Sequence, residues 1–123
     1  MSTTVLLLAA LLLTACSGGG GGGQSGNGGQ QGGGPPGAVL VNETEWVISL
    51  PAQIPSGPVT FSVKNNGAVE HNFVIQEANL RLDGIQPGQS KTLSANLRPG
   101  SYNIVCDIAG HSEAGMKTTV RVQ

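Results

Sequence analysis

From Ser17 to Gly37 the chain is glycine broken only by Gln, Ser, Asn and a closing Pro35-Pro36-Gly37, a tract with almost no side chain to bury. Whatever folds must do so within residues 38–123, which leaves room for one small domain with a modest core. That part is rich in Val, Thr and Ile, is punctuated by Pro and Gly at short intervals, and has no capped stretch of helical periodicity. Short strands are the remaining option, so the expected class is all-β.

The strands can be read in order. Val39-Leu40-Val41 and Glu45 to Leu50 come first, and Pro51, which lacks a backbone donor, stops the pairing. Val59 to Lys64 alternates strictly between apolar and polar, the mark of a half-buried strand. Asn65-Asn66-Gly67 reads as a turn using positive φ. Val69 to Ile75 is a strand containing His71, Leu80 to Leu82 a short element, and Lys91 to Leu97 a second alternating strand. After the turn Arg98-Pro99-Gly100, the strand Ser101 to Cys106 sets Tyr102, Ile104 and Cys106 on one face by period two. Met116 opens the closing strand, with Thr118, Val120 and Val122 on one face. Seven to eight such strands without an internal repeat predict an antiparallel Greek-key sandwich or barrel. Trp46 and Tyr102 read as core residues.

The N-terminus carries a different signal. Val5 to Leu13 is apolar but shorter than the roughly twenty residues a helix needs to span a bilayer. It runs into Leu13-Thr14-Ala15-Cys16, which resembles a bacterial lipoprotein signal whose cysteine becomes the lipidated first residue of the mature chain. Three parts follow: a signal peptide over 1–16 ending in a lipidated Cys16, a flexible linker over 17–37, and a folded domain over 38–123. As a random coil the linker spans on the order of 25 Å, enough to hold a small domain clear of a membrane surface.

On this reading Cys106 has no disulfide partner in an exported protein, where a free thiol is a liability unless it has a function. The domain's other soft or nitrogenous ligands are few: His71, His111 and Met116. Two imidazoles, one thiolate and one thioether form the ligand set of a blue-copper centre, because sulfur suits Cu(I) and imidazole suits both oxidation states. Lysine and arginine number 6 against 7 acidic residues, a net charge of −1, so there is no basic stripe and nucleic-acid binding is set aside.

The segment Cys106-x4-His111-x4-Met116, with Pro99-Gly100-x-Tyr102 before it and Glu70-His71-Asn72-Phe73 upstream, resembles the copper loop of the cupredoxins, with spacing like that of the rusticyanin-like and sulfocyanin-like members. The resemblance implies one copper ion per domain, with His71, Cys106 and His111 as equatorial ligands and Met116 as the axial one. It also implies that Asn72 ties the His71 strand to the Cys106 loop, and that His111 presents a ring edge to the surface as the electron port. Related loops commonly carry proline before Gly-His, whereas this chain has Ala109, whose N–H is expected to offer the Cys106 sulfur a further donor.

The implied function is electron transfer rather than catalysis: a monomeric, lipid-anchored carrier in the cell envelope, its domain facing the periplasm or the outside. Its partners would be redox proteins of cytochrome or oxidase type. Copper enzymes need further histidines or a second loop cysteine, and none is present. The alternative is copper handling, meaning delivery or sequestration. Such proteins use several exchangeable Met and His residues, and this domain has one Met and two His.

Overall fold

The computed structural model describes residues 34–123. The expected signal peptide, Cys16 and most of the linker lie outside the described residues. Nine strands and no helix occur within them: β1 (Val39–Thr44), β2 (Val47–Ser49), β3 (Gln53–Ile54), β4 (Gly57–Asn65), β5 (His71–Ile75), β6 (Leu80–Ile85), β7 (Ser90–Leu97), β8 (Gly100–Val105) and β9 (Lys117–Val122). They form a four-stranded sheet, β2-β1-β4-β7, and a five-stranded sheet, β3-β9-β8-β5-β6.

The inward faces make one apolar core. Phe61 on β4 and Phe73 on β5 meet across it with ring centroids 5.5 Å apart and planes tilted by 48°. Val41, Val63, Ile75, Ile104 and Val120 pack around them, all buried. Alternation selects these residues: on β4, Val59, Phe61 and Val63 recur at period two and point inward together. The two longest ladders frame the molecule. β4 pairs with β7 from Gly57↔Leu97 to Lys64↔Ser90, and β8 pairs with β9 from Gly100↔Val122 to Val105↔Lys117.

The all-β sandwich matches the class read from the sequence, with two refinements. Leu80 begins a full strand that runs to Ile85, and the chain after Pro51 forms the two-residue β3, which brings the count to nine. The sheets are also mixed, because β1 runs parallel to β4 and β3 parallel to β9. Period-two patterning states which face is buried but not which way the neighbouring strand runs, so strand direction is not readable from it.

Two turns differ from their reading. The stretch beginning at Glu45 is not continuous strand: Thr44 pairs with Val47, and Glu45-Trp46 is the reversal between β1 and β2. Trp46 adopts φ +66°, a region that bulky residues seldom occupy, and it is 42% exposed rather than in the core. The Asn65-Asn66-Gly67 turn contains no positive φ. Gly67 instead leaves room for a neighbour, since a Cβ at that position would push the Glu45 carboxylate aside. Tyr102 is only half-buried, and its hydroxyl donates to Arg98 O at 3.0 Å across the turn before β8.

Candidate metal centre

Three strand ends converge at one end of the sandwich. His71 is the first residue of β5 and is fully buried. A bulge sets its direction: the β5–β6 register runs His71↔Ile85 and then Phe73↔Leu82, so β6 holds one residue more than β5 opposite it. Gly84, at φ +62°, absorbs the irregularity. Bulges of this kind bend a strand and re-aim its side chains. Asn72 fastens the bulge, because its Oδ1 accepts the Gly84 N–H at 2.9 Å.

Cys106 follows directly on β8 and extends the ladder by one step, its N–H donating to Met116 O at 3.0 Å. From Cys106 to Met116 the loop is bonded to itself. His111 N–H donates to Ile108 O, Ala114 N–H to Gly110 O, Gly115 N–H to Ser112 O and Met116 N–H to His111 O, all at 3.0–3.1 Å. Gly110 (φ +87°) and Gly115 (φ +112°) make the reversals that an L side chain would strain. Met116 is wholly buried, with its backbone bonded to both Cys106 and His111.

The resulting geometry is compact. His71 Nδ1 lies 3.3 Å from His111 Nδ1, and Cys106 Sγ lies 3.4 Å from His111 Nδ1. The donor atoms of His71, Cys106 and His111 all fall within 4.8 Å of one another. Three donors at bond lengths of about 2.0–2.3 Å around a shared ion stand about 3.5 Å apart, so the two short edges fit a single metal. Two nitrogens and one sulfur, with His71 and Cys106 buried and His111 half-buried, match the softness that copper prefers, and the site is suited to one copper ion.

The electrostatics agree with that use. Burial, reinforced by the nearby His111, holds His71 below the ordinary histidine range, so its imidazole is neutral and free to ligate. Burial pushes the Cys106 thiol up, opposed by backbone N–H groups of Asn72 and Ile108. The Asn72 N–H reaches Sγ at 3.3 Å. Metal binding must therefore displace the thiol proton. The backbone N–H hydrogen-bonded to this sulfur is that of Asn72, not that of Ala109, which is exposed. The additional donor expected at Ala109 is thus absent among the described residues.

Asn72 also joins the two halves of the site. Its Nδ2 donates to Asp107 Oδ1 at 2.8 Å, and Asp107 Oδ2 in turn meets Arg81 Nη2 at 3.0 Å. His111 is half-buried, and Trp46 stands edge-on to its ring at a centroid distance of 4.8 Å. Glu70 and Glu113, beside the candidate ligands, are exposed.

Sequence reasoning overlooked three neighbours. Trp46 is one, hidden because an aromatic residue next to Val-Ile reads as strand. Glu45 is the second, with Oε1 4.0 Å from His71 Nε2. Glu43 is the third: it is fully buried and neither carboxylate oxygen has a hydrogen-bond partner. Its signal was available, since it falls in phase with the inward-facing Val41 of β1.

The Cupredoxin-like domain profile matches residues 40–120, most of the chain. The chain belongs to the cupredoxin-like family. Among solved structures, the chain is similar to a dithionite-reduced auracyanin from Roseiflexus castenholzii at 20% identity and TM-score 0.61, covering 73% of this chain and 99% of that one. It is also similar to auracyanin A, a blue copper protein of Chloroflexus aurantiacus, at 16% identity and TM-score 0.57, over 70% of this chain and 98% of that one. A reduced amicyanin variant matches at 20% identity and TM-score 0.53, over 72% and 84%. At these identities the likeness is one of fold. No curated protein sequence matches the chain.

Proposed function

We propose that this cupredoxin is a membrane-anchored electron carrier that shuttles one electron between redox proteins through a mononuclear type 1 copper site. The observation that carries the reading is the convergence of His71, Cys106 and His111 donor atoms within 4.8 Å, the latter two on a loop already bonded to itself and the first at the start of β5. Bound copper supplies a one-electron couple. His71, Cys106 and His111 would hold it, with the buried Met116 as a weaker fourth donor. The protein's part is rigidity: β5, β8 and β9 fix the ligands, and the Asn72 bridge locks one strand to the other, so little rearrangement accompanies a change of oxidation state.

Electrons enter and leave through the half-buried His111 and the edge-on Trp46, at an end rimmed by the small residues Ala109, Gly110, Ala114 and Gly115. The partner is a cytochrome or oxidase-type protein that docks there. The lipid on Cys16 retains the domain at the cell envelope. The domain acts as a monomer and transforms no substrate.

Two measurements test this reading. Voltammetry of the copper-loaded protein is expected to give one reversible one-electron wave; a wave absent, or present only with irreversible loss of metal, contradicts a carrier role and favours copper handling. Fractionation of cells expressing the full chain is expected to put it with membranes and Cys16→Ala in the soluble fraction. Equal partitioning of the two removes the lipid anchor from the account.

A further inference from the structure

When the Nδ1 atoms of both histidines face a metal, their ring protons must reside on Nε2. For His71 this has a consequence, because its Nε2 is buried and has no hydrogen-bond partner. A buried N–H left unpaired costs about 1–3 kcal/mol. One carboxylate faces it: Glu45 Oε1 lies 4.0 Å away.

Glu45 is held there by a built cradle. Its Oε1 accepts the Ala68 N–H at 2.5 Å and the Val69 N–H at 3.3 Å. The loop presenting these donors is fastened by the buried Asn65, whose Nδ2 donates to Val69 O and whose Oδ1 accepts the Gly67 N–H, at 2.7 and 2.8 Å. Gly67 leaves the space the carboxylate occupies. Trp46, the next residue, takes its positive φ at the turn that brings Glu45 to this end of the molecule.

We propose, resting on the copper reading above, that Glu45 is a positioning residue of the metal centre: its carboxylate accepts the His71 Nε2–H, fixing the imidazole with Nδ1 toward the copper and strengthening it as a donor. Carboxylate–histidine–metal relays of this kind set both the tautomer and the basicity of the ligand. The gap exceeds a hydrogen bond by about 1 Å, and the long contact to the Val69 N–H is the one that yields as the carboxylate turns toward the ring. Both the added negative charge and the hydrogen bond favour Cu(II) over Cu(I), so Glu45 lowers the reduction potential.

The test uses Glu45→Ala, which removes the acceptor, Glu45→Gln, which keeps an oxygen but removes the charge, and Gly67→Ala, which pushes the carboxylate out of its cradle. Glu70→Gln is the control for charge alone, because Glu70 neighbours His71 in sequence while its carboxylate bonds Gln86 on the surface. Nitrogen-15 NMR of the copper-free protein reads the His71 tautomer, and voltammetry of the copper-loaded protein reads the potential. The expected result is a His71 held as the Nε2–H form in the wild type and released to a mixture in Glu45→Ala. Alongside it, the preference for Cu(II) over Cu(I) falls at least tenfold, a rise of 59 mV for one electron. Glu45→Gln and Gly67→Ala move the same way by less, and Glu70→Gln changes the preference less than twofold. A blue wild type whose tautomer and potential ignore all three cradle variants, or follow Glu70→Gln equally, overturns the proposal alone. A wild type that never turns blue overturns the copper reading and the proposal together.

Discussion

Glu43 carries a prediction that needs no metal. Its carboxyl is buried on β1 without a partner, and desolvation raises its pKa from 4.5 to about 8. The folded state therefore holds a proton that the unfolded chain gives up near pH 4.5. Below that pH both states are protonated and the group makes no difference. Between pH 4.5 and 8 the unfolded state gains from ionising while the folded state does not, so stability falls as pH rises, levelling above about 8. At about 1.4 kcal/mol per pKa unit the shift amounts to about 5 kcal/mol in all, of which about 3 kcal/mol is lost by pH 7. Glu43→Gln keeps the shape and removes the titration. Urea unfolding of the copper-free 38–123 domain at pH 5, 6, 7 and 8 would separate the two. The difference between wild type and variant should move by about 1.4 kcal/mol per pH unit across this window, in the variant's favour as pH rises. His71, whose pKa is depressed, acts in the opposite sense: its contribution is present above pH 6.5 and lost as pH falls, and it cancels in the difference. Parallel pH profiles for the two proteins would refute the buried-acid argument.

Other perturbations follow from the same contacts. Asn65→Ala strands the Val69 and Ile85 carbonyls and the Gly67 N–H, and should lower stability by about 2–4 kcal/mol in a thermal melt. Phe73→Ala opens the centre of the core opposite Phe61 and should lose about 3–5 kcal/mol by denaturant unfolding. Trp46→Gly removes the cover from His111 while relieving a backbone conformation that costs on the order of 1–2 kcal/mol. Stability should change by less than about 1 kcal/mol, and acylation of His111 by diethylpyrocarbonate in the copper-free protein should quicken severalfold, with His71 still protected.

Much of this molecule is legible in its sequence, for reasons that differ by element. Strict alternation in Val59 to Lys64 and Lys91 to Leu97 identifies β4 and β7 because each has one buried face. The donors His71, Cys106 and His111 stand out because few alternatives exist and because Cys106 shares the inward phase of Ile104. What escapes reading depends on contacts between segments remote in the chain. The approach of Glu45 to His71 requires the parallel pairing of β1 with β4, and Gly67 matters only because Glu45 occupies the space beside it. Trp46 reverses the chain at a positive φ that composition gives no reason to expect. Ala109 invited an argument from a missing proline, yet the N–H bonded to the sulfur comes from Asn72. The bulge at Gly84 that aims His71 is equally invisible, since it is a property of two paired strands.

The most direct test of the central claim is the visible spectrum of the protein titrated with Cu(II) and then reduced, beside Cys106→Ser. The account predicts an intense blue thiolate-to-copper band that saturates at one equivalent, bleaches on reduction, returns on oxidation, and is missing in Cys106→Ser. A wild type that stays colourless at one equivalent, or a band that survives the loss of the thiol, would contradict a Cys106-ligated copper centre.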